Sequence, residues 1–134
     1  MIIHHIGLVV NNIEEHFKNY FCNALGYTEI GPIYKDENIG VYVAFINMND
    51  KIYLELVQPI DIKSPVSNYL KKYGQTLHHL CFEVEDIDAE CNRLRESRYF
   101  VTMKPTPAVA FNGKRVAFLM SKEENYLIEL LEQK

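Results

Sequence analysis

The chain has 134 residues, of which 48% are hydrophobic, so it is long enough to bury a core and short enough to form a single domain. Its net charge is −4 and its Lys and Arg residues are scattered, which argues against a nucleic-acid partner. No stretch is long and apolar enough to cross a membrane, and the N-terminal apolar run lacks a basic flank. The three cysteines lack CxxC spacing and are expected to be reduced core residues. Composition therefore predicts a cytoplasmic protein that binds neither nucleic acid nor membrane.

The first half of the chain predicts one strand, one helix and three further strands. Apolar residues predict a strand at 2–10, and Asn12, with Glu15 three places later, offers an N-cap for an amphipathic helix that ends at Gly26. Further strands are predicted near 27–34, 40–48 and 51–58, with a tight turn at Asn49-Asp50 between the last two. The predicted order of elements is βαβββ.

A linker and a second βαβββ segment follow. Ser64 and Pro65 predict the start of a short helix, which Gly74 ends. The second half then predicts a strand at 77–84, a helix capped by Asp86, and strands near 99–104, 114–120 and 125–132. We therefore predict an α+β fold in one domain, with module 1 at residues 1–60, the linker helix at 61–75 and module 2 at 76–134.

The two modules also repeat each other in sequence. The offset between matching segments is 74 residues, or 73 where a connecting loop differs in length. The matching segments are HHIGLVV at 4–10 with HHLCFEV at 78–84, VAF at 43–45 with VAF at 116–118, and YLELV at 53–57 with LIELL at 127–131. The chain is therefore predicted to be a duplicated module.

Four residues with metal-binding side chains stand at equivalent positions of this repeat. They are His5, Glu55, His79 and Glu129. Each histidine lies in mid-strand between apolar neighbours, and each glutamate lies in a strand whose two faces are both apolar. A buried carboxylate whose partner is missing costs roughly 3–5 kcal/mol, so each glutamate needs a cation. Two imidazoles and two carboxylates are a usual ligand set for a divalent metal and balance its charge, so the pattern predicts a metal site.

Ordinary structural roles are the alternative for each of these residues taken alone. A single strand His is more often a core residue than a ligand, and it is the duplication of all four positions that favours the metal site. His4 and His78 point to the opposite faces of their strands and are expected to pack or to form hydrogen bonds. Several aromatic and Met side chains either line a substrate cavity or belong to the core: Tyr42, Phe45, Met48, Tyr53, Phe111 and Met120.

Over nearly its whole length the chain resembles the vicinal oxygen chelate superfamily, the glyoxalase and bleomycin-resistance fold. The resemblance rests on segments 5–10, 54–56, 79–84 and 127–130. It implies that the two modules form a cupped, mixed or antiparallel eight-stranded sheet around a metal held by the four residues above. More narrowly, the chain is similar to compact bacterial glyoxalase I enzymes and to methylmalonyl-CoA epimerases. This similarity rests on segments 55–59 and 113–118, on Ser64-Pro65 with Leu70 and Gly74, and on His78-His79.

The resemblance implies a metal-dependent enzyme, with glyoxalase I, a lactoylglutathione lyase, as the leading function. Such an enzyme removes a proton next to a hemithioacetal or thioester carbonyl, and its metal stabilises the enediolate or enolate. By resemblance Glu129 is both ligand and catalytic base, provided that burial holds its pKa near the working pH. The ligand types leave nickel, cobalt, zinc, manganese and iron open. A thiol adduct or acyl-CoA substrate and a homodimer are expected.

Other functions of the same fold remain open. The first alternative is a methylmalonyl-CoA epimerase, in which Asp36 or Glu37 would be a second carboxylate, although Glu55 at the second ligand position favours glyoxalase I. The residues MSKEEN at 120–125 differ from the motif that epimerases usually have before the last strand. The second alternative is a non-catalytic, drug-binding resistance protein. Ring-cleaving dioxygenases normally leave the second ligand position vacant, so Glu55 argues against them.

Overall fold

A computed structural model describes all 134 residues, Met1–Lys134, as eight strands and three α-helices. The strands are β1 (Ile2–Val9), β2 (Tyr34–Asp36), β3 (Val41–Asn47), β4 (Tyr53–Pro59), β5 (Thr76–Val84), β6 (Tyr99–Pro107), β7 (Arg115–Ser121) and β8 (Leu127–Glu132). The α-helices are α1 (Ile13–His16), α2 (Pro65–Tyr73) and α3 (Ile87–Glu96), with a π-helix at Phe17–Cys22 and a 3₁₀ helix at Val109–Phe111. None of these helices combines the length and the hydropathy that crossing a membrane requires.

All eight strands belong to one mixed sheet. Their order is β2-β3-β4-β1-β5-β8-β7-β6. The pairs β2 with β3, β3 with β4, β6 with β7 and β7 with β8 are antiparallel, whereas β5 and β8 are parallel. Read outward from β1 and from β5, the two halves have the same internal order. The predicted α+β fold with two βαβββ modules and an eight-stranded sheet is therefore confirmed.

The strand register shows that the sequence repeat is also a structural repeat. Phe45 is the cross-strand partner of Glu55, and Phe118 is the cross-strand partner of Glu129. The helix caps repeat as well, because Asn12 accepts a hydrogen bond from the Glu15 N–H as Asp86 does from the Ala89 N–H, both at 2.9 Å. Each glutamate thus occupies the same place in its own module.

The chain divides into two compact units whose boundaries cut through β1 and β5. The N-terminal unit contains Ile6–His78, and the C-terminal unit contains Met1–His5 together with His79–Lys134. Each of these two strands therefore begins in one unit and continues in the other. His5 and His79 both fall in the C-terminal unit, each directly at the boundary.

Each unit has its own apolar core, built where a helical segment covers one face of its strands. In the C-terminal unit α3 packs on the sheet, and the core consists of Val84, Ile87, Cys91, Leu94, Ala117, Leu119, Ile128 and Leu130. In the N-terminal unit α1 and the π-helix do the same, and the core consists of Val10, Ile13, Phe17, Phe21, Ala44, Ile46 and Leu56. None of the three cysteines forms a disulfide; Cys81 and Cys91 are buried and Cys22 is partly buried, as predicted.

Three details of module 1 differ from the sequence prediction. The first helix changes to a π-helix at Phe17. The segment 27–33 forms no strand, because Pro32 lacks an N–H; only its Gly31 N–H reaches the neighbouring Phe45 carbonyl, at 2.9 Å. The turn between β3 and β4 spans residues 48–52, and the side chains of Asn47 and Asn49 close it by accepting backbone hydrogen bonds.

Helix α2 begins and ends at the predicted residues. Pro65 occupies its first turn, where a missing N–H costs nothing, and Gly74 ends it with a positive φ of 74°. The Gly74 N–H donates to the Leu70 carbonyl at 2.8 Å. Ser64 holds the N-cap position, but its side chain forms no capping hydrogen bond.

Candidate metal centre

Three of the four predicted ligands come together in the C-terminal unit. His5 lies on β1, His79 on β5 and Glu129 on β8. The parallel pairing of β5 with β8 places Cys81 opposite Glu129, so the glutamate lies two residues from the level of His79, on neighbouring strands. All three side chains are buried, with exposures of 0%, 5% and 3% respectively.

The ring nitrogens and one carboxylate oxygen of these residues form a small triangle. His5 Nε2 lies 3.1 Å from His79 Nε2. Glu129 Oε2 lies 3.0 Å from His5 Nε2 and 2.9 Å from His79 Nε2. Three donor atoms of ligand type therefore face one another at nearly equal separations inside the fold.

This triangle fits a divalent metal ion. Neighbouring ligands in an octahedral shell lie about 3 Å apart when each metal–ligand bond is about 2.1 Å long. The three observed separations, 2.9, 3.0 and 3.1 Å, agree with that value. Imidazole nitrogen and carboxylate oxygen also suit the same group of metals, from manganese to zinc. The donor set is therefore consistent with the predicted metal site.

The histidines determine the charge of Glu129. Burial alone would raise the pKa of this carboxyl group, but the charge of His5 and hydrogen bonds from both histidines outweigh burial and hold the pKa well below its ordinary value. The structure therefore does not show the raised pKa that burial was expected to give. Glu129 is therefore ionised at neutral pH, and its buried negative charge favours a bound cation.

Aromatic side chains enclose the two imidazoles. The Phe118 ring meets the His79 ring edge to face, with 5.2 Å between the centroids. Phe111 stacks on His5 at 6.1 Å and contacts the His4 ring edge to face at 5.5 Å. The sequence marked Phe118 only as part of the repeat and Phe111 only as a possible cavity residue. Position is the signal that could have found them. Phe118 lies opposite Glu129 on β7, and Phe111 lies in the 3₁₀ helix before β7.

The adjacent histidines pack and form hydrogen bonds, as predicted. His4 Nδ1 lies 2.9 Å from His5 Nδ1, and burial followed by the charge of His5 lowers the pKa of His4. His78 contacts the Tyr69 ring edge to face at 4.7 Å. The buried thiol of Cys81 lies with ligand atoms of His4 and His5 in a second group, within 4.8 Å of one another. This second group shares His5 with the triangle and is not an independent site.

The remaining predicted carboxylates belong to the N-terminal unit. Glu55 is buried on β4, with 5% exposure, in the place that Glu129 holds on β8. Asp36 is buried at the end of β2, and its Oδ1 accepts a hydrogen bond from the Ile39 N–H at 3.2 Å. Glu37 is exposed and pairs with Lys35 at 3.2 Å. Of the two candidates for a second carboxylate, Asp36 is therefore buried and Glu37 lies at the surface.

Comparisons with known proteins agree with this fold. The family model of the glyoxalase/bleomycin resistance protein/dioxygenase superfamily matches residues 4–118. An ethylmalonyl-CoA/methylmalonyl-CoA epimerase of Cereibacter sphaeroides is 36% identical over 98% of this chain and 96% of its own. A mitochondrial methylmalonyl-CoA epimerase of Dictyostelium discoideum is 34% identical over 98% of this chain and 78% of its own.

Among solved structures, a methylmalonyl-CoA epimerase variant of Streptomyces coelicolor in complex with 2-nitronate-propionyl-CoA superposes with a TM-score of 0.81. It is 28% identical, and the match covers 98% of this chain and 96% of that one. These relatives support the epimerase alternative better than the leading glyoxalase I interpretation. Fold, repeat and relatives together show that the chain belongs to the glyoxalase/bleomycin resistance/dioxygenase superfamily.

Proposed function

We propose that this chain is a metal-dependent acyl-CoA epimerase that acts on methylmalonyl-CoA or a close homologue of it. The observation that carries the proposal is the triangle of His5, His79 and Glu129, with separations of 2.9–3.1 Å between its donor atoms. The similarity to epimerases over 98% of the chain supports the choice of substrate. The epimerase alternative thus replaces glyoxalase I as the leading function.

We propose four ligands for one divalent metal: His5, Glu55, His79 and Glu129. Glu55 joins the set because it is buried, carries a donor of the same type, and occupies the same register position as Glu129 in the repeat. All four residues are buried, and each offers one ligand atom. A bound divalent ion would act as a Lewis acid, stabilising the negative charge that develops on a carbonyl oxygen when the neighbouring carbon loses its proton.

The reaction itself is an inversion at one carbon. C2 of methylmalonyl-CoA carries a hydrogen next to a thioester carbonyl, so removing the proton moves the C–H electron pair into an enolate. A proton then returns to the opposite face of C2, from water or from a second acid of the protein, and the other epimer results. The base keeps the proton taken from C2 until water removes it, and the O–H bond of the proton donor is the only other covalent bond broken in the substrate's inversion.

Glu129 is the proposed base. Its carboxylate is ionised because His5 and His79 lower its pKa, and its Oε2 lies where both rings can hold the side chain in place. The same low pKa makes it a weaker base than a carboxylate whose pKa lies near the working pH, so a bound divalent ion would have to compensate by making the C2 proton more acidic. The buried surroundings exclude water that would otherwise compete for the carboxylate. His5, His79 and Glu55 act as ligands without proton transfer.

A paired assay in D₂O tests the substrate. Protein loaded with cobalt is incubated with one epimer of methylmalonyl-CoA and, separately, with the hemithioacetal of methylglyoxal and glutathione. Deuterium at C2 together with formation of the second epimer supports the proposal. Turnover of the hemithioacetal alone would restore glyoxalase I. Turnover of neither, by protein that binds the metal, would contradict both enzymes and favour the non-catalytic, ligand-binding role.

A further inference from the structure

We propose that His4 is a positioning residue that orients the ring of His5 so that its Nε2 binds the metal. This inference rests on the proposed metal site. Its basis is a contact on β1 between two neighbouring side chains, His4 Nδ1 and His5 Nδ1, at 2.9 Å. The sequence repeat does not predict this contact, because a His-His pair occurs in both modules, at His4-His5 and at His78-His79.

The two nitrogens of the His5 ring face different groups. Its Nε2 lies 3.0 Å from Glu129 Oε2 and 3.1 Å from His79 Nε2, whereas its Nδ1 faces His4. A neutral imidazole carries one proton, on one nitrogen, and only the other nitrogen has a lone pair for a metal. A hydrogen bond from His5 Nδ1–H to His4 therefore places the lone pair of the His5 ring on Nε2.

When a bound metal ion takes the lone pair of His5 Nε2, the remaining proton of that ring lies on Nδ1. In that tautomer the His5 Nδ1–H donates to His4 Nδ1, which accepts, and the His4 proton is on its Nε2. Metal binding therefore displaces the proton that Nε2 donates to Glu129 in the metal-free protein, while Nδ1 keeps its proton because His4 Nδ1 accepts it. Metal-binding histidines in proteins almost always donate their second ring N–H in this way, usually to a carboxylate, a carbonyl or water.

Packing by Phe111 keeps both rings in this arrangement. Its ring lies nearly parallel to that of His5, with 16° between the planes, and nearly perpendicular to that of His4, at 82°. The two imidazoles are themselves nearly perpendicular, at 83°. Rotation of either ring would lose these aromatic contacts as well as the hydrogen bond. Phe111 and His4 together thus hold one orientation of His5.

Two substitutions of His4 separate positioning from packing. His4→Leu replaces the ring by an apolar side chain of moderate size, so it retains packing volume but removes the hydrogen-bond acceptor. His4→Asn places an amide oxygen near the position of Nδ1, so it can still accept from the His5 N–H. His78→Leu is the matched control, the same change at the equivalent position of the repeat, where the ring packs on Tyr69.

The readout is the Kd for Co²⁺, measured by calorimetric titration of the metal-free protein. Loss of a hydrogen-bond partner behind a ligand typically weakens metal binding about 10- to 100-fold, which is the effect expected for His4→Leu. We expect His4→Asn to stay within about threefold of wild type, and His78→Leu to bind as wild type does. Equal affinity of His4→Leu and wild type overturns the inference, and so does an equal loss in His4→Leu and His4→Asn. Failure of the wild-type protein to bind Co²⁺ would instead overturn the metal site, and the inference with it.

A spectroscopic measurement on the unsubstituted protein does not depend on how the variants fold. Long-range ¹H–¹⁵N NMR of the zinc-loaded protein reports which nitrogen of each imidazole carries the proton. The proposal predicts a proton on Nδ1 of His5 and on Nε2 of His4. A proton on Nδ1 of His4 contradicts it, because the 2.9 Å contact would then bring two N–H groups together.

Discussion

Glu129 Oε2 lies 2.9 Å from His79 Nε2, and the strands that carry the two residues run parallel to each other. This pairing gives the carboxylate a fixed partner inside the fold, where it would otherwise be costly to bury. The second imidazole, of His5, approaches the same oxygen at 3.0 Å. The proposed base, two of the proposed ligands and the burial of a charged carboxylate in the C-terminal unit therefore depend on one small group of atoms.

The proposed role of Glu129 as base predicts a large catalytic loss on substitution. Glu129→Gln keeps the shape of the side chain but removes its ability to accept a proton from C2. We expect kcat to fall roughly 10²- to 10⁴-fold, the usual contribution of general base catalysis. Exchange of deuterium into C2 of methylmalonyl-CoA measures this loss, with metal content determined on the same samples.

Glu132→Gln is the matched control, because Glu132 lies on the same strand and its carboxylate pairs with Arg115 rather than with the histidines. We expect its deuterium exchange rate to stay within about threefold of wild type, since it makes none of the proposed catalytic contacts. Full turnover by metal-loaded Glu129→Gln would show that another residue is the base.

The lowered pKa of Glu129 predicts a specific dependence of stability on pH in metal-free protein. Burial opposes the ionised form, but the charge of His5 and the hydrogen bonds of both histidines outweigh it, so the folded-state pKa lies below the ordinary 4.5. The stabilisation is present at pH values above 4.5 and is lost as the pH falls through the lowered pKa. Urea unfolding of wild type and Glu129→Gln between pH 7 and pH 3 should show a difference in unfolding free energy that shrinks toward pH 3. A difference that grows as the pH falls would mean that the carboxyl group is protonated in the folded protein.

The two cores predict equal effects at two equivalent leucines. Leu56 and Leu130 are both fully buried, and each belongs to the core of one unit. Leu56→Ala and Leu130→Ala should each lower the unfolding free energy by about 2–5 kcal/mol, because each leaves a cavity. Leu25→Ala, at a residue with 53% exposure, is the control and should change it by less than about 0.5 kcal/mol. Urea denaturation measures all three, and a loss at only one buried leucine would contradict comparable packing of the two cores.

Metal binding predicts a gain in stability that saturates with concentration. A ligand that binds only the folded state stabilises it by about 2.7 kcal/mol when its free concentration is 100 times its Kd. Adding Co²⁺ to metal-free protein should therefore raise Tm, and excess chelator should reverse the rise. The double variant His5→Ala with His79→Ala should show no such rise. An equal rise in that variant would place the bound metal elsewhere on the protein.

Much of the site could be predicted from the sequence because the module is duplicated. A His or Glu in a strand says little by itself, but His5 and Glu55 recur as His79 and Glu129 at the same offset. Strand alternation then shows that both glutamates lie between apolar faces. The burial of all four side chains agrees with that reasoning.

Other features depend on three-dimensional geometry that the periodicity of apolar residues in the sequence does not predict. The segment 27–33 has the apolar alternation of a strand, yet Gly31 and Pro32 interrupt it and only one backbone hydrogen bond to Phe45 is made. The pKa of Glu129 was expected to be raised by burial, but its direction depends on how closely the histidines approach, which only the folded structure gives. The contact between His4 and His5 could not be predicted for the same reason, because it depends on the orientation of two side chains.

The most direct test of the central claim is the crystal structure of the cobalt-loaded protein, with anomalous diffraction measured at the cobalt edge. We predict one anomalous peak, from a cobalt ion bonded to His5 Nε2, His79 Nε2 and the carboxylates of Glu55 and Glu129, with bonds of about 2.0–2.2 Å. A peak at another place, or full cobalt binding with no peak near His5, His79 and Glu129, would contradict the metal centre.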